Sequence, residues 1–473
     1  MIELNSKNNV LMECEYKYSL QDRETGNLYR DMFPYEEIPK CTFNFRLTPA
    51  NPPEKIWITD TTFRHGQQSR APYEPQQIVE LYKLLHKLGG PNGVIRQSEF
   101  FVYSERDRKA LRMCQDLGYE FPEITGWIRA SREDFKLARD LGRNARRCCG
   151  APKEEDFKLA RDLGLCECGI LVSCSDYHIY KKLKKTRRQA VDGYLAVIKD
   201  ALDAGIYPRC HFEDITRADF YGFVVPFAHE ISELMQESGI PIKIRACDTM
   251  GYGVPYAGAS MPRSVPGIIY GLRNYGGFPS ELLEWHGHND FYKAVVNSAT
   301  AWLYGAASVN CSLLGIGERT GNTPLEAMVI EYAQLRGTLD GMDTTVIRDI
   351  ADYFERKLGY HIPANTPFVG ENFNMTQAGI HADGLLKDEE IYSIFDTRKI
   401  LKSPPRVGIS RNSGAAGIAV WLTQKLGRTV DKNEPVVHRL HDWVNAQYEL
   451  GRATNIGDGE LWDIYEQMEA EKA

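Results

Sequence analysis

The chain has 473 residues, of which 43% are hydrophobic and 26% charged, an ordinary balance that excludes a wholly disordered or fibrous protein. Its 57 Lys+Arg against 64 Asp+Glu give a net charge of −7, without the basic footprint of a nucleic-acid binder. No apolar run reaches membrane-spanning length, Met1-Ile2-Glu3-Leu4-Asn5 does not read as a leader, and 11 cysteines in a long chain fit reduced thiols, so a cytoplasmic protein is expected.

Residues 1–54 show no strong period and read as an N-terminal extension ending near Asn51-Pro52-Pro53. A β-then-α alternation follows. Residues 56–59 form the first expected strand. Ile78, Leu81, Tyr82, Leu85 and Leu88 then fall on one helical stripe over 75–88, stopped by Gly89-Gly90. Further strands are expected at 93–101, 123–130, 167–174, 207–215, 242–247, 283–285 and 308–313, with helices such as 188–204 and 220–237 between them. Eight such units over 55–335 predict a (β/α)8 TIM barrel. An open doubly wound sheet would gather its polar clusters at one switch point, whereas here they follow many strands. The segment 133–142 recurs unchanged at 155–164, so one copy should be the third barrel helix and the other an insertion on the rim. Beyond 335 the pattern is helical. Residues 363–368 read as a linker, and 336–473 as a small helical C-terminal domain with late helices at 440–448 and 461–468.

Four polar motifs lie at the expected C-terminal ends of strands. His286-Gly287-His288 places two imidazoles on one side of a pleat, where both can reach one ion at about 2.0–2.1 Å. A hydrogen-bonded core pair is the alternative, and the place at an expected barrel mouth favours the metal. Arg64, in Asp60–Gln68, can polarise a substrate carbonyl, or close a structural ion pair. Glu213 can be a general base, orient one, or pair with Arg217. Gly315–Asn322 is a glycine loop of the kind that holds phosphates or carboxylates on backbone N–H groups. Cys148-Cys149 with Cys166 and Cys168 matches no ordinary zinc ribbon.

Together these motifs resemble the metal-dependent acyl-CoA condensing barrels, a family that holds 2-isopropylmalate, homocitrate and Re-citrate synthases. The likeness covers roughly 55–430. It rests on Asp60–Gln68, His286–His288 and Gly315–Asn322, supported by Cys247–Tyr252 and Ser175–His178. Gln377–His381 resembles the family's Gly-Ile-His motif, with Tyr392 eleven residues on, and Ile409–Gly414 a diverged Gly-Lys-His-Ser-Gly run. The regulatory leucine-binding domain of the isopropylmalate synthases would not fit in what remains.

The resemblance implies a divalent metal on His286 and His288, with Asn322 nearby. It implies Arg64 at the keto oxygen, Thr249 and Gln68 at the substrate, and Glu213, His381 and Tyr392 as a proton relay. Acetyl-CoA is the implied co-substrate. The implied assembly is a homodimer in which the C-terminal region reaches over the partner's barrel. Nucleic acid and membrane are not implied partners. One departure stands out: the family carries a metal-binding acid after that Arg, and this sequence has His65. A three-His site is one negative charge short and favours Mn²⁺, Co²⁺ or Zn²⁺ over Mg²⁺. Either a His65 nitrogen holds the ion or water fills that corner. The phrases at 93–101 and 123–130 look most like the Re-citrate synthases, which implies oxaloacetate as the 2-oxo acid and citrate as product. Arg96 and Arg129 are then candidates for the second carboxylate, or rim salt bridges. A 2-isopropylmalate or homocitrate synthase is the next reading, and a non-catalytic acyl-CoA or oxo-acid sensor a third, favoured only by His65.

Overall fold

The computed structural model describes residues 2–5, 10–13, 18–36, 41–44, 47–128 and 165–471. The duplicated segment and Arg129 lie outside them. The chain divides into two units, Met1–Asp343 and Thr344–Ala473. The extension, read as patternless, contains an antiparallel pair, Ile2–Asn5 with Val10–Glu13.

In the first unit eight parallel strands close into a barrel. They are β1 (Trp57–Asp60), β2 (Ile95–Phe101), β3 (Glu123–Ile128), β4 (Glu167–Ser173), β5 (Tyr207–Glu213), β6 (Lys243–Asp248), β7 (Leu283–Gly287) and β8 (Ser308–Cys311). The expected TIM barrel is therefore the observed fold. β5 stops two residues early because Asp214 takes a left-handed φ of 64° and Ile215–Arg217 form a 3₁₀ turn. The helix expected over 220–237 opens as a π turn, Phe220–Val224, before Val225–Ser238.

Alternate side chains explain both faces of the wall. Ile58, Phe100, Ile170, Phe212, Ile244, Trp285 and Val309 are apolar and buried. The residues between them bond to one another, several of them across the barrel to strands that are not neighbours, so they fill its interior. That interior is charged, unlike the branched aliphatic layers usual in this fold. Arg209 of β5 reaches Glu99 of β2, and its Nη1 donates to Glu167 of β4 at 2.5 Å. Arg245 of β6 donates to Glu284 of β7 at 2.5 Å and to Glu99 at 3.1 Å. Lys243 donates to Glu167 at 2.6 Å. Three carboxylates thus meet three cations, and the lattice is neutral. Burial alone would raise the Glu167 carboxyl, but Lys243 and Arg209 outweigh it and hold it near 2, below its ordinary 4.5. Because the folded value is the lower one, this stabilisation is complete above about pH 5 and is lost as pH falls toward 2. Thermal unfolding between pH 5 and 2 should show that loss, and Glu167→Gln should flatten the slope.

The second unit is helical. Gly414–Leu426, Pro435–Glu449 and Asp458–Ala470 bury Ile418, Trp421, Leu422, Val437, Leu440 and Leu461 against one another. The last two helices contain the late helices expected from sequence. Among the described residues no helix is long and apolar enough to cross a membrane.

Candidate active site at the barrel mouth

His286 is fixed by a chain of hydrogen bonds whose directions can be worked out. The Thr59 hydroxyl donates to Glu284, so it accepts from the Asn310 amide nitrogen at 2.9 Å. That turns the Asn310 oxygen toward His286 Nδ1, 2.8 Å away. Nδ1 must then carry the proton, and the Nε2 lone pair is left free. This Nε2 lies 3.3 Å from Nε2 of His288. Two nitrogens each about 2.0–2.1 Å from one ion would sit at such a separation. His65, in the turn after β1, completes the group: its ring centroid is 4.6 Å from that of His286 and 5.8 Å from that of His288. One nitrogen from each of the three lies within 4.8 Å of the others.

The donor set fits a divalent ion. His65 Nδ1, His288 Nδ1 and Asn322 Oδ1 are buried atoms with no hydrogen-bond partner. Burial, aided by Arg64, holds the His65 imidazole well below its usual range. Burial and the neighbouring His288 do the same to His286. Burial and Arg319 bring His288 to about 4. All three are neutral near pH 7, the form that ligates. Asn322 arrives on the glycine loop after β8, tied to β7 through a bridge to His288. Gly321 there has φ 96°, and a Cβ on it would come within 2.2 Å of the Gly315 carbonyl oxygen. Asn310 was missed by sequence reasoning. Asn310→Ala should weaken binding of Co²⁺ to the metal-free protein roughly 10–100-fold in a spectroscopic titration.

Beside this group lies Arg64, only 4% exposed. Its guanidinium stacks 4.1 Å from the Trp127 ring centroid. Its Nε and Nη1 have no partner, so the structural ion pair weighed as an alternative is not what these atoms make. Burial lowers its pKa to about 10, which still leaves it charged near pH 7. A desolvated cation with unpaired donors is a receptor for negative charge.

Glu213 closes β5. It accepts from Ser173 Oγ at 2.5 Å, and its carboxylate lies 2.8 Å from His178 Nδ1 and 3.3 Å from Lys182 Nζ. Burial alone would raise this carboxyl, but His178 outweighs it and holds it near 2. Glu213 is therefore a standing anion, suited to orienting His178 rather than taking a proton itself. Arg217 pairs with Asp214 at 2.8 Å and not with Glu213. Thr249, just past β6, accepts from the Asp214 backbone N–H at 2.8 Å.

Other expected residues fall elsewhere. Arg96 is corrected: it is the second residue of β2, at the barrel's opposite end, 3.4 Å from Glu123 and 4.6 Å from the Phe121 ring. Gln68 is exposed at the close of the turn after His65, while Gln67 beside it bonds Phe63 O at 2.7 Å. His381 and Tyr392 belong to the second unit, where their rings lie 4.7 Å apart. Asp60 and Asp248, acids at the mouth, are consumed by loop N–H groups: Asp60 accepts from Thr62 N at 3.0 Å, and Asp248 from Tyr252 N and Gly253 N at 2.9 Å.

Residues 55–354 match the family model described as HMGL-like. The chain is 53% identical to the citrate (Re)-synthase of Clostridium kluyveri, over 95% of this chain and 96% of that one. It is also 53% identical to the citrate (Re)-synthase of Syntrophus aciditrophicus, over 94% of this chain and 68% of that one. Identity to the 2-phosphinomethylmalate synthase of Streptomyces hygroscopicus is 32%, over 95% and 98% of the two chains. With the closed barrel and this match along most of its length, the chain belongs to the HMGL-like family.

Proposed function

We propose that the chain condenses acetyl-CoA with oxaloacetate to give citrate and CoA. The observation that carries this reading is the pairing of three neutral imidazoles with an unpartnered, buried Arg64 at one barrel mouth. The identity to two citrate (Re)-synthases supports the choice of oxo acid.

His65, His286 and His288, with Asn322 as a further donor, would hold a divalent ion that supplies Lewis acidity toward the 2-oxo acid. Three neutral imidazoles suit Mn²⁺, Co²⁺ or Zn²⁺ better than Mg²⁺. Arg64 places positive charge where the keto oxygen becomes an alkoxide. Thr249 contacts the oxo acid, and Gln68 borders the entrance. Glu213 holds His178 in one orientation at the edge of the site. A proton leaves the acetyl methyl group toward the relay formed with the partner subunit's His381 and Tyr392, as the family's homodimer implies. The resulting enolate carbon bonds to the keto carbon, and water then cleaves the thioester to release CoA. Arg129 remains the candidate for the second carboxylate of oxaloacetate. A reducing cytoplasm suits the eight described cysteines, all of which are free.

The test is thiol release from acetyl-CoA with a panel of 2-oxo acids and Mn²⁺ or Co²⁺. Release with oxaloacetate is expected. Release with 2-oxoisovalerate alone would replace the reading with an isopropylmalate synthase, and no release with any oxo acid would overturn it.

A further inference from the structure

We infer that Arg30, Lys181, Lys184 and Lys185 form a phosphate-binding rim that takes the nucleotide end of an acyl-CoA; this rests on the condensation reading above. The run Lys181-Lys182-Leu183-Lys184-Lys185-Thr186-Arg187-Arg188 holds six cations in eight residues, in a chain whose net charge is −7. Such a concentration of one sign on an acidic protein focuses anions locally.

Its position ties it to the mouth. The run begins in the π turn Tyr177–Lys182 that follows β4, on the same barrel end as the three imidazoles. Two side chains of that turn, His178 and Lys182, stand 2.8 and 3.3 Å from Glu213. The loop therefore rises from the edge of the site.

Half of the run is already matched and half is not. Buried Arg187 pairs with Asp176 at 2.8 Å and Asp219 at 2.9 Å. Arg188 pairs with Asp192 at 2.7 Å and Glu230 at 2.8 Å. Lys181, Lys184 and Lys185 are exposed, and among the described residues no carboxylate pairs with them. Lys184 sits at a left-handed φ of 55° in the closing turn.

The N-terminal extension adds a fourth cation. Its backbone is fastened to the same loop: Asn27 N donates to Asp176 at 2.8 Å, Tyr177 OH to Leu28 O at 2.8 Å, and Tyr180 OH to Arg23 O at 2.7 Å. Arg30 is thereby set 5.9 Å from the Tyr177 ring centroid, with Lys181 Nζ 5.8 Å from the same centroid. Arg30 is exposed and has no acidic partner among the described residues. Like charges gathered from two chain segments repel unless an anion joins them. Coenzyme A brings roughly four negative charges on its 3′-phosphate and pyrophosphate, at the far end of the pantetheine arm from the thioester. A thioester reacting at the mouth thus needs a cationic surface beside the mouth, and this rim is one.

The test compares CoA binding by calorimetry in the full-length protein and in Lys184→Glu/Lys185→Glu, with Lys181→Gln as a milder variant. The double variant should raise the Kd for CoA at least about tenfold. The KM for acetyl-CoA should rise with it, while the KM for oxaloacetate does not follow. 3′-Dephospho-CoA should bind the unaltered protein more weakly than CoA, and the variant should discriminate less between them. Unchanged CoA affinity in a double variant with an unaltered melting temperature would overturn the rim. So would ATP or ADP binding at these lysines without competing with acetyl-CoA, which would make them a regulatory nucleotide site. A protein that condenses nothing but loses CoA affinity in the variant would refute the condensation reading and leave the rim standing.

Discussion

Replacing Arg64 by alanine is expected to lower kcat for condensation roughly 10²–10³-fold, the usual cost of removing one preorganised donor at a developing oxyanion. The expectation follows from where the guanidinium is held. It lies under Trp127 with two nitrogens unpaired and out of water, so its field is little screened and its orientation is set before substrate arrives. Arg64→Lys should recover only part of the loss, because an ammonium cannot keep both the stacked plane and the fork of donors. The control is metal content. The positive charge of Arg64 works against protonation of all three imidazoles, and it works equally against a bound cation. Elemental analysis of Arg64→Ala should therefore show metal retained or held more tightly. A parallel loss of metal and rate would mean that Arg64 supports the cage rather than the substrate.

His65→Asp should move metal preference toward Mg²⁺ and Mn²⁺, with Mg²⁺ affinity rising roughly tenfold or more. A carboxylate supplies the hard oxygen and the negative charge that three imidazoles lack. Titration of the metal-free protein with Mg²⁺, Mn²⁺ and Zn²⁺ in both forms gives the ratio directly. Equal preferences in the two forms would place His65 outside the coordination shell, despite its ring lying 4.6 Å from that of His286.

Much of this was legible in the sequence because it depends on local periods. The strands announced themselves through short apolar runs ended by glycines and polar clusters, and His286-Gly287-His288 carried its meaning in its own spacing. What stayed hidden depends on distant pairing. Glu99, Arg209 and Arg245 carry no local pattern, since their partners lie between 39 and 146 residues away in sequence. Asn310 is one amide in Ser308–Cys311, and only the register of β8 against β7 shows that it faces His286. His178 was noted as part of a motif, but its value lies in Glu213, which the sequence separates from it by 35 residues.

The barrel's charged interior has a consequence for assembly. Cut between β4 and β5, the first half keeps the lattice's Glu99 and Glu167, and the second keeps its Arg209, Lys243 and Arg245 with Glu284 as the one acid of the lattice on that side. From this lattice one half is left with two surplus negative charges on its inner face and the other with two surplus positive ones. Neither hemisphere is a comfortable stopping point, and each electrostatically seeks the other, so the closed ring should form in one concerted step. Fragments ending and starting between those strands would be expected to reunite readily in dilute buffer and reluctantly in concentrated salt.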